Sequence, residues 1–149
     1  MDELCLFNQF LVSNNTLWVY NGERLLFTSN RRGLQPLLEY IDKFVPFQDE
    51  IKIFDKIMGS AAALLSVKAS CKKVYSPLGS ELAIKTLRYY NIPYHIDSII
   101  PYIQNHEGKD MCPMEKLSLN KSPEEFYQII TASFQISVST GGVEMSKET

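Results

Sequence analysis

Asp55 and Lys56 stand side by side at the end of the strand-like stretch Ile51-Lys52-Ile53-Phe54, shortly ahead of Gly59 and the small residues Ser60, Ala61, Ala62 and Ala63. A strand that ends in a charged pair and turns into a helix of small residues offers an anion a lysine charge and free backbone N–H groups at a positive dipole end. Open α/β sheets bind ligands at that end of their strands. On this reading Lys56 contacts the anion and the N–H groups of Gly59, Ser60 and Ala61 cradle it. Asp55 orients the lysine, accepts a ligand hydroxyl or acts as a base. A strand-to-helix turn with a surface ion pair explains the same residues without any ligand. There is no Gly-rich Walker loop, so a nucleoside triphosphatase is not indicated.

A second cluster runs from His106 to Glu115 and holds the possible metal ligands His106, Glu107, Asp110, Cys112 and Glu115. Structural zinc draws on paired short spacings such as C-x-x-C, and none is present. The expectation is therefore no metal and no cofactor. Cys112 with His106 as its base would make a nucleophile, whereas a lone cysteine more often serves as a small buried hydrophobe. Met111, Pro113 and Met114 around it predict a loop packed onto the core, which makes Cys112 and Glu115 candidates to close a pocket begun at Asp55 and Lys56. His95-Ile96-Asp97 is a near miss to the H-x-E of zinc deaminases, but the P-C-x-x-C that would complete the metal site is missing.

The elements that must position these residues follow from periodicity. Leu4, Phe7 and Leu11 at helical spacing predict a first helix over Glu3–Val12. The period then becomes two, in Leu17–Tyr20 and Arg24–Phe27 on either side of Asn21-Gly22, the pair that suits a type I′ hairpin turn. Leu34, Leu37, Leu38 and Ile41 form the stripe of a second helix. Ile51–Phe54, Lys73–Tyr75 and Pro93–Ile96 read as short strands. The run Ser60–Val67 is apolar all round and predicts a buried helix, while Leu82, Ala83, Leu87 and Tyr90 mark one side of another. The pattern breaks down from Ser98 to Lys116. Ser122-Pro123-Glu124-Glu125 is a capping box opening a last helix. The alternation predicts a three-layer α-β-α sandwich around a mixed sheet, with residues 1–136 as one domain and 137–149 as a flexible tail.

Composition narrows the function classes. The 149 residues are 45% hydrophobic and carry 15 Lys plus Arg against 17 Asp plus Glu, a formal net charge of -2. The longest basic runs are Arg31-Arg32 and Lys72-Lys73, too little for a phosphate-binding groove, so no nucleic-acid partner is indicated. Cys5, Cys71 and Cys112 are odd in number and far apart, which predicts a reducing compartment rather than a disulfide framework. No secretory leader and no membrane-length apolar run can be read, so a cytoplasmic location is expected. A small anionic ligand is the expected partner, with a non-catalytic interaction module as the competing reading.

Several of these stretches together carry a family resemblance. Arg32-Gly33-Leu34 with Pro36-Leu37-Leu38, Asp55-Lys56 with Gly59 and Ala61–Leu65, Ile99-Ile100 before Pro101-Tyr102-Ile103, and Met111-Cys112-Pro113-Met114-Glu115-Lys116 resemble the family known as domain of unknown function 1893. The resemblance covers roughly residues 15 to 118 and implies a cytidine deaminase-like fold. It does not imply deamination. In working deaminases the helix after the hairpin carries a metal ligand and a catalytic Glu, and a later helix opens with two cysteines. Here those helices begin Gly33-Leu34-Gln35 and Asp55-Lys56-Ile57-Met58-Gly59, and neither supplies the zinc ligands.

Overall fold

Alternating apolar residues build the hairpin. In the computed structural model, which describes residues 2–44 and 46–141, β1 (Leu17–Asn21) and β2 (Arg24–Ser29) pair antiparallel. The turn lies one residue later than Asn21-Gly22 suggests. Asn21 pairs with Arg24, which leaves Gly22 and Glu23 in the turn, and Gly22 has a φ of +61° while neither Asn21 nor Glu23 is in the positive region. A glycine at the first central position is what a type II′ turn requires. A register shift between Val19 and Tyr20 reconciles this turn with the pairing below it. Leu26, left without an opposite residue, packs with Phe27 against the main core.

The sheet grows outward from β1. β3 (Ile51–Asp55) pairs antiparallel with it, and β5 (Lys73–Ser80) and β6 (Tyr94–Ile100) follow in parallel. A short β4 (Ile57–Met58), not expected from the sequence, continues β3 past Lys56 and pairs with β5. The result is a six-stranded mixed sheet in which β5 has β3 and β4 along one side and β6 along the other. The break between β3 and β4 has a cause on the neighbouring strand. The pairs Phe54↔Tyr75 and Ile57↔Leu78 bracket Pro77, which has no N–H to give the ladder. The N–H of Lys56 turns the other way and donates to the Thr16 carbonyl at 3.1 Å.

Strand alternation sorts side chains between two layers. Leu17, Val19, Ile51, Ile53 and Val74 meet the main core, while Tyr20, Phe54 and Tyr75 face α1 (Glu3–Val12). The buried face of α1 is Leu6, Phe7 and Phe10; Leu4 is 51% exposed, so the face lies a step around from the Leu4, Phe7, Leu11 stripe. On the other side lie α2 (Gln35–Lys43), α3 (Ser60–Lys68) and α4 (Glu81–Tyr89). The crossovers through α3 and α4 both step away from β1. Right-handed connections that step the same way put their helices on one face, and Ala63, Leu64, Ala83 and Leu87 do share one cluster. α3 is buried from Ser60 through Ser66, as its all-round apolar sequence requires.

Beyond β6 come α5 (Pro113–Ser118) and α6 (Pro123–Gly141). The capping box forms as read, with Ser122 N–H donating to Glu125 Oε1 at 2.9 Å and Glu125 N–H to Ser122 Oγ at 3.1 Å. α6 runs to Gly141, past the boundary placed at residue 136, and residues 142–149 of the expected tail lie outside the described residues. Among the described residues no helix is long and apolar enough to cross a membrane.

Candidate functional site

Asp55 and Lys56 are neighbours in sequence and point to opposite faces of the sheet. Lys56 follows Phe54 onto the α1 side. Its Nζ donates to the carbonyls of Ser13 (3.0 Å) and Asn15 (2.7 Å), just past the end of α1, and lies 4.6 Å from the Phe10 ring centre. Burial pulls its pKa down from the ordinary lysine value, opposed by the Asp55 charge. A cation over the last carbonyls of a helix satisfies groups the helix leaves unbonded and complements its dipole.

Asp55 follows Ile53 toward the helix layer and pairs across the ladder with the buried Leu17. Burial pushes its carboxyl up to about 7, against the lowering effect of the Ile57 and Lys56 N–H groups and the Lys56 charge. The residue keeps partial solvent contact, so water screens part of this effect.

The start of α3 already holds a carboxylate. Glu115, 2% exposed, accepts from the N–H of Ser60 through Oε1 and from the N–H of Ile103 through Oε2, the latter at 2.7 Å. Gly59 makes room for it, since a Cβ there would stand 2.9 Å from both Glu115 Oε1 and Ile103 Cγ1. Its φ of -90° and ψ of -179° are ordinary extended backbone, so space, not conformation, demands the glycine. Ser60 and Ala61 are themselves buried.

The Cys-Pro-Met-Glu stretch is explained position by position. Cys112 precedes α5 and donates its N–H to the Ile103 carbonyl at 2.7 Å; Pro113 takes the first helical turn, where a missing N–H costs nothing. Met114 packs on the main core and Glu115 reaches α3. The loop before it closes on itself through a Gln104↔Met111 bridge and an Asn105 N–H to Asp110 carbonyl bond of 2.8 Å. His106 is exposed in this loop. Among the described residues, no three of His, Cys, Asp and Glu gather so as to hold a metal ion. Cys71, deep in the core, has its thiol pushed up to about 12 by burial.

The structure thus brings Glu115 to Gly59 and Ser60, as a loop folding back over α3 requires, and leaves Lys56 on the far side of the sheet. A cavity of about 200 Å³ lies elsewhere, lined by Ile41, Asp42, Phe47, Lys68 and Tyr127. Sequence reasoning missed Ile103, which carries the second N–H to Glu115, and Ser13 and Asn15, which occupy Lys56. For Lys56 the signal was available, because strand alternation from Phe54 sets its side. For Ile103, a backbone donor in an irregular loop, there was none.

Residues 6–134 match the family model described as domain of unknown function (DUF1893). Among solved structures the chain is similar to a DUF1893 family protein (TM1506) from Thermotoga maritima, at 28% identity and a TM-score of 0.76, over 89% of this chain and 92% of that one. No curated protein matches.

Proposed function

This chain belongs to the DUF1893 family, and from that premise we propose that it is a non-catalytic interaction or regulatory module of deaminase-like descent, working in the cytoplasm. One observation carries the reading: the helix N-terminus that would bind an anion is filled by the protein's own Glu115, whose oxygens both accept backbone N–H groups. Lys56, the cation that would have joined it, is occupied by the end of α1. Polar groups satisfied this fully inside the fold hold it together and leave little to contact a substrate. The deaminase-like descent is supported by the order of elements, with an antiparallel hairpin ahead of three parallel strands. Three free cysteines suit a reducing cytoplasm.

A second reading keeps a small anionic metabolite or nucleotide at Asp55, Lys56 and the N–H groups of Gly59, Ser60 and Ala61. It is favoured by the fact that the start of α3 accepts a carboxylate at all, and it requires the ligand to displace Glu115. Thermal melts with a panel of nucleotides and phosphorylated metabolites, with native mass spectrometry of protein purified from cells, separate the two. The module reading expects no shift and no retained small molecule. A saturable rise in Tm with one compound would overturn it.

A further inference from the structure

We propose that two copies of this chain associate edge to edge through β6, antiparallel about a twofold axis at Ile96. Among the described residues β6 pairs with β5 alone, so its other edge is free. Val74 N–H donates to the Pro93 carbonyl at 3.1 Å, so residue 93 turns its backbone groups toward β5. These groups alternate along a strand, so those of Tyr94, Ile96, Ser98 and Ile100 point outward. A twofold at Ile96 sets Ile96 against its own copy and Tyr94 against Ser98 of the second copy, and every one of these residues has its N–H and C=O on the outer edge.

Side-chain chemistry selects this register. His95 Nε2 lies 3.2 Å from Asp97 Oδ1 within the chain, both side chains being about two-fifths exposed. His95 is on the α1 face, with its ring centre 5.2 Å from that of Phe7. In the Ile96 register His95 falls opposite Asp97 of the second copy, as a non-hydrogen-bonded pair, where side chains approach closest. The two histidines and two aspartates then alternate around a square. Ile99, 52% exposed, falls opposite Pro93 of the second copy. Centring the axis on Asp97 instead sets the two Asp97 carboxylates against each other, and centring it on Ser98 sets Asp97 against Ile99.

The two edges of the sheet are also unequal in protection. β2 starts at Arg24, leads to Arg31-Arg32, and is joined to β1 through a bulge, devices that discourage pairing. β6 reads Tyr-His-Ile-Asp-Ser-Ile-Ile, without lysine, arginine or proline, and its register with β5 has no shift. A ligand-binding domain would carry the same edge, so this proposal and the functional one fall separately.

Sedimentation velocity of the full chain from about 1 to about 100 μM tests it. The expected result is a species of twice the 17.1 kDa chain mass that Ser98→Pro converts to monomer, raising the dissociation constant at least about tenfold by removing an outward N–H. The Ser98 N–H does not serve β5, so this variant should keep the wild-type circular dichroism and melt. Asp97→Lys, which sets a lysine opposite His95, should weaken association as well and serves if Ser98→Pro does not fold. A monomer at every concentration overturns the proposal, and so does a dimer that both folded variants leave intact.

Discussion

Replacing Glu115 with alanine should be among the most damaging single changes in this chain. The carboxylate is 2% exposed and accepts two backbone N–H groups, from Ser60 and Ile103. Hydrogen bonds to a charged group contribute about 1.5–3 kcal/mol each, and its place at the start of α3 adds roughly 0.3–1 kcal/mol from the helix dipole. Alanine also spares the cost of burying the charge, and water entering the space can restore part of the bonding. The net loss is therefore about 3 kcal/mol rather than the full sum. For a chain of this size that lowers Tm by roughly 10 °C. Glu115→Gln keeps the shape and one acceptor but turns an NH2 toward a backbone N–H, so about 2 kcal/mol should be lost. Gly59→Ala supplies an internal control. Its backbone suits alanine, so any loss reports the 2.9 Å contacts of the new Cβ, about 1–3 kcal/mol. With Glu115 already alanine, one of those contacts is gone and the Gly59→Ala penalty should shrink. Urea denaturation of the four proteins in this cycle decides the matter. If Glu115→Ala unfolds within about 0.5 kcal/mol of wild type, or the two changes simply add, the carboxylate is not the fastener described.

Two further outcomes follow from the same geometry. Lys56→Met should cost about 1–3 kcal/mol by leaving the Ser13 and Asn15 carbonyls without their cation, and hydrogen exchange should quicken first in α1; exchange rising equally across the sheet would refute the assignment. Asp55→Asn should stabilise the protein more at pH 8 than at pH 5. The folded carboxyl titrates at about 7 against an ordinary 3.8, so the folded state holds the proton more tightly and wild-type stability falls as pH rises through that window, by an amount on the order of 1 kcal/mol after screening. Equal effects of Asp55→Asn at both pH values would contradict this.

Sequence signals that one element produces alone match the structure. The Ser122–Glu125 capping box needs only its own four residues, and the all-round apolar run from Ser60 needs only a position in the middle of the helix layer. Errors arose where a neighbour decided. Asn21-Gly22 is the stronger turn pair by itself, yet the pairing of Asn21 with both Arg24 and Ile51 holds it in the strand and passes the turn to Gly22-Glu23. The α1 face was set by the aromatic surface of Tyr20, Phe54 and Tyr75 beneath it, which no pattern inside residues 3–12 contains. The methionines and proline of the loop ending at Glu115 predict packing onto the core, and Met114 does meet the core while Glu115 reaches the start of α3.

Asp55 and Lys56, which the sequence joins into one pocket, serve two faces because the extended chain runs on past Phe54. Had β3 stopped at Phe54, Asp55 and Lys56 would lie in a turn, free to converge on a ligand. Pro77 interrupts the ladder without ending the sheet there, so alternation continues from Phe54 through Lys56 and breaks only at β4, where Met58 joins the main core. Lys56 is thereby directed at α1 and Asp55 at the helix layer. Each face then acquires its own fastener between parts of the chain far apart in sequence: Lys56 to Ser13 and Asn15 on one side, Glu115 to Ser60 on the other. On the α1 side Glu3 adds a second, accepting from Lys52 at 3.0 Å and from the Tyr75 hydroxyl. α1 is thus held by charge at both ends over the aromatic surface of Tyr20, Phe54 and Tyr75. A bond that closes so long a loop gains its partners only after the sheet has formed. Loss of Lys56 should therefore free α1 while the sheet stays paired, whereas loss of Glu115 should loosen the loop and the start of α3 together.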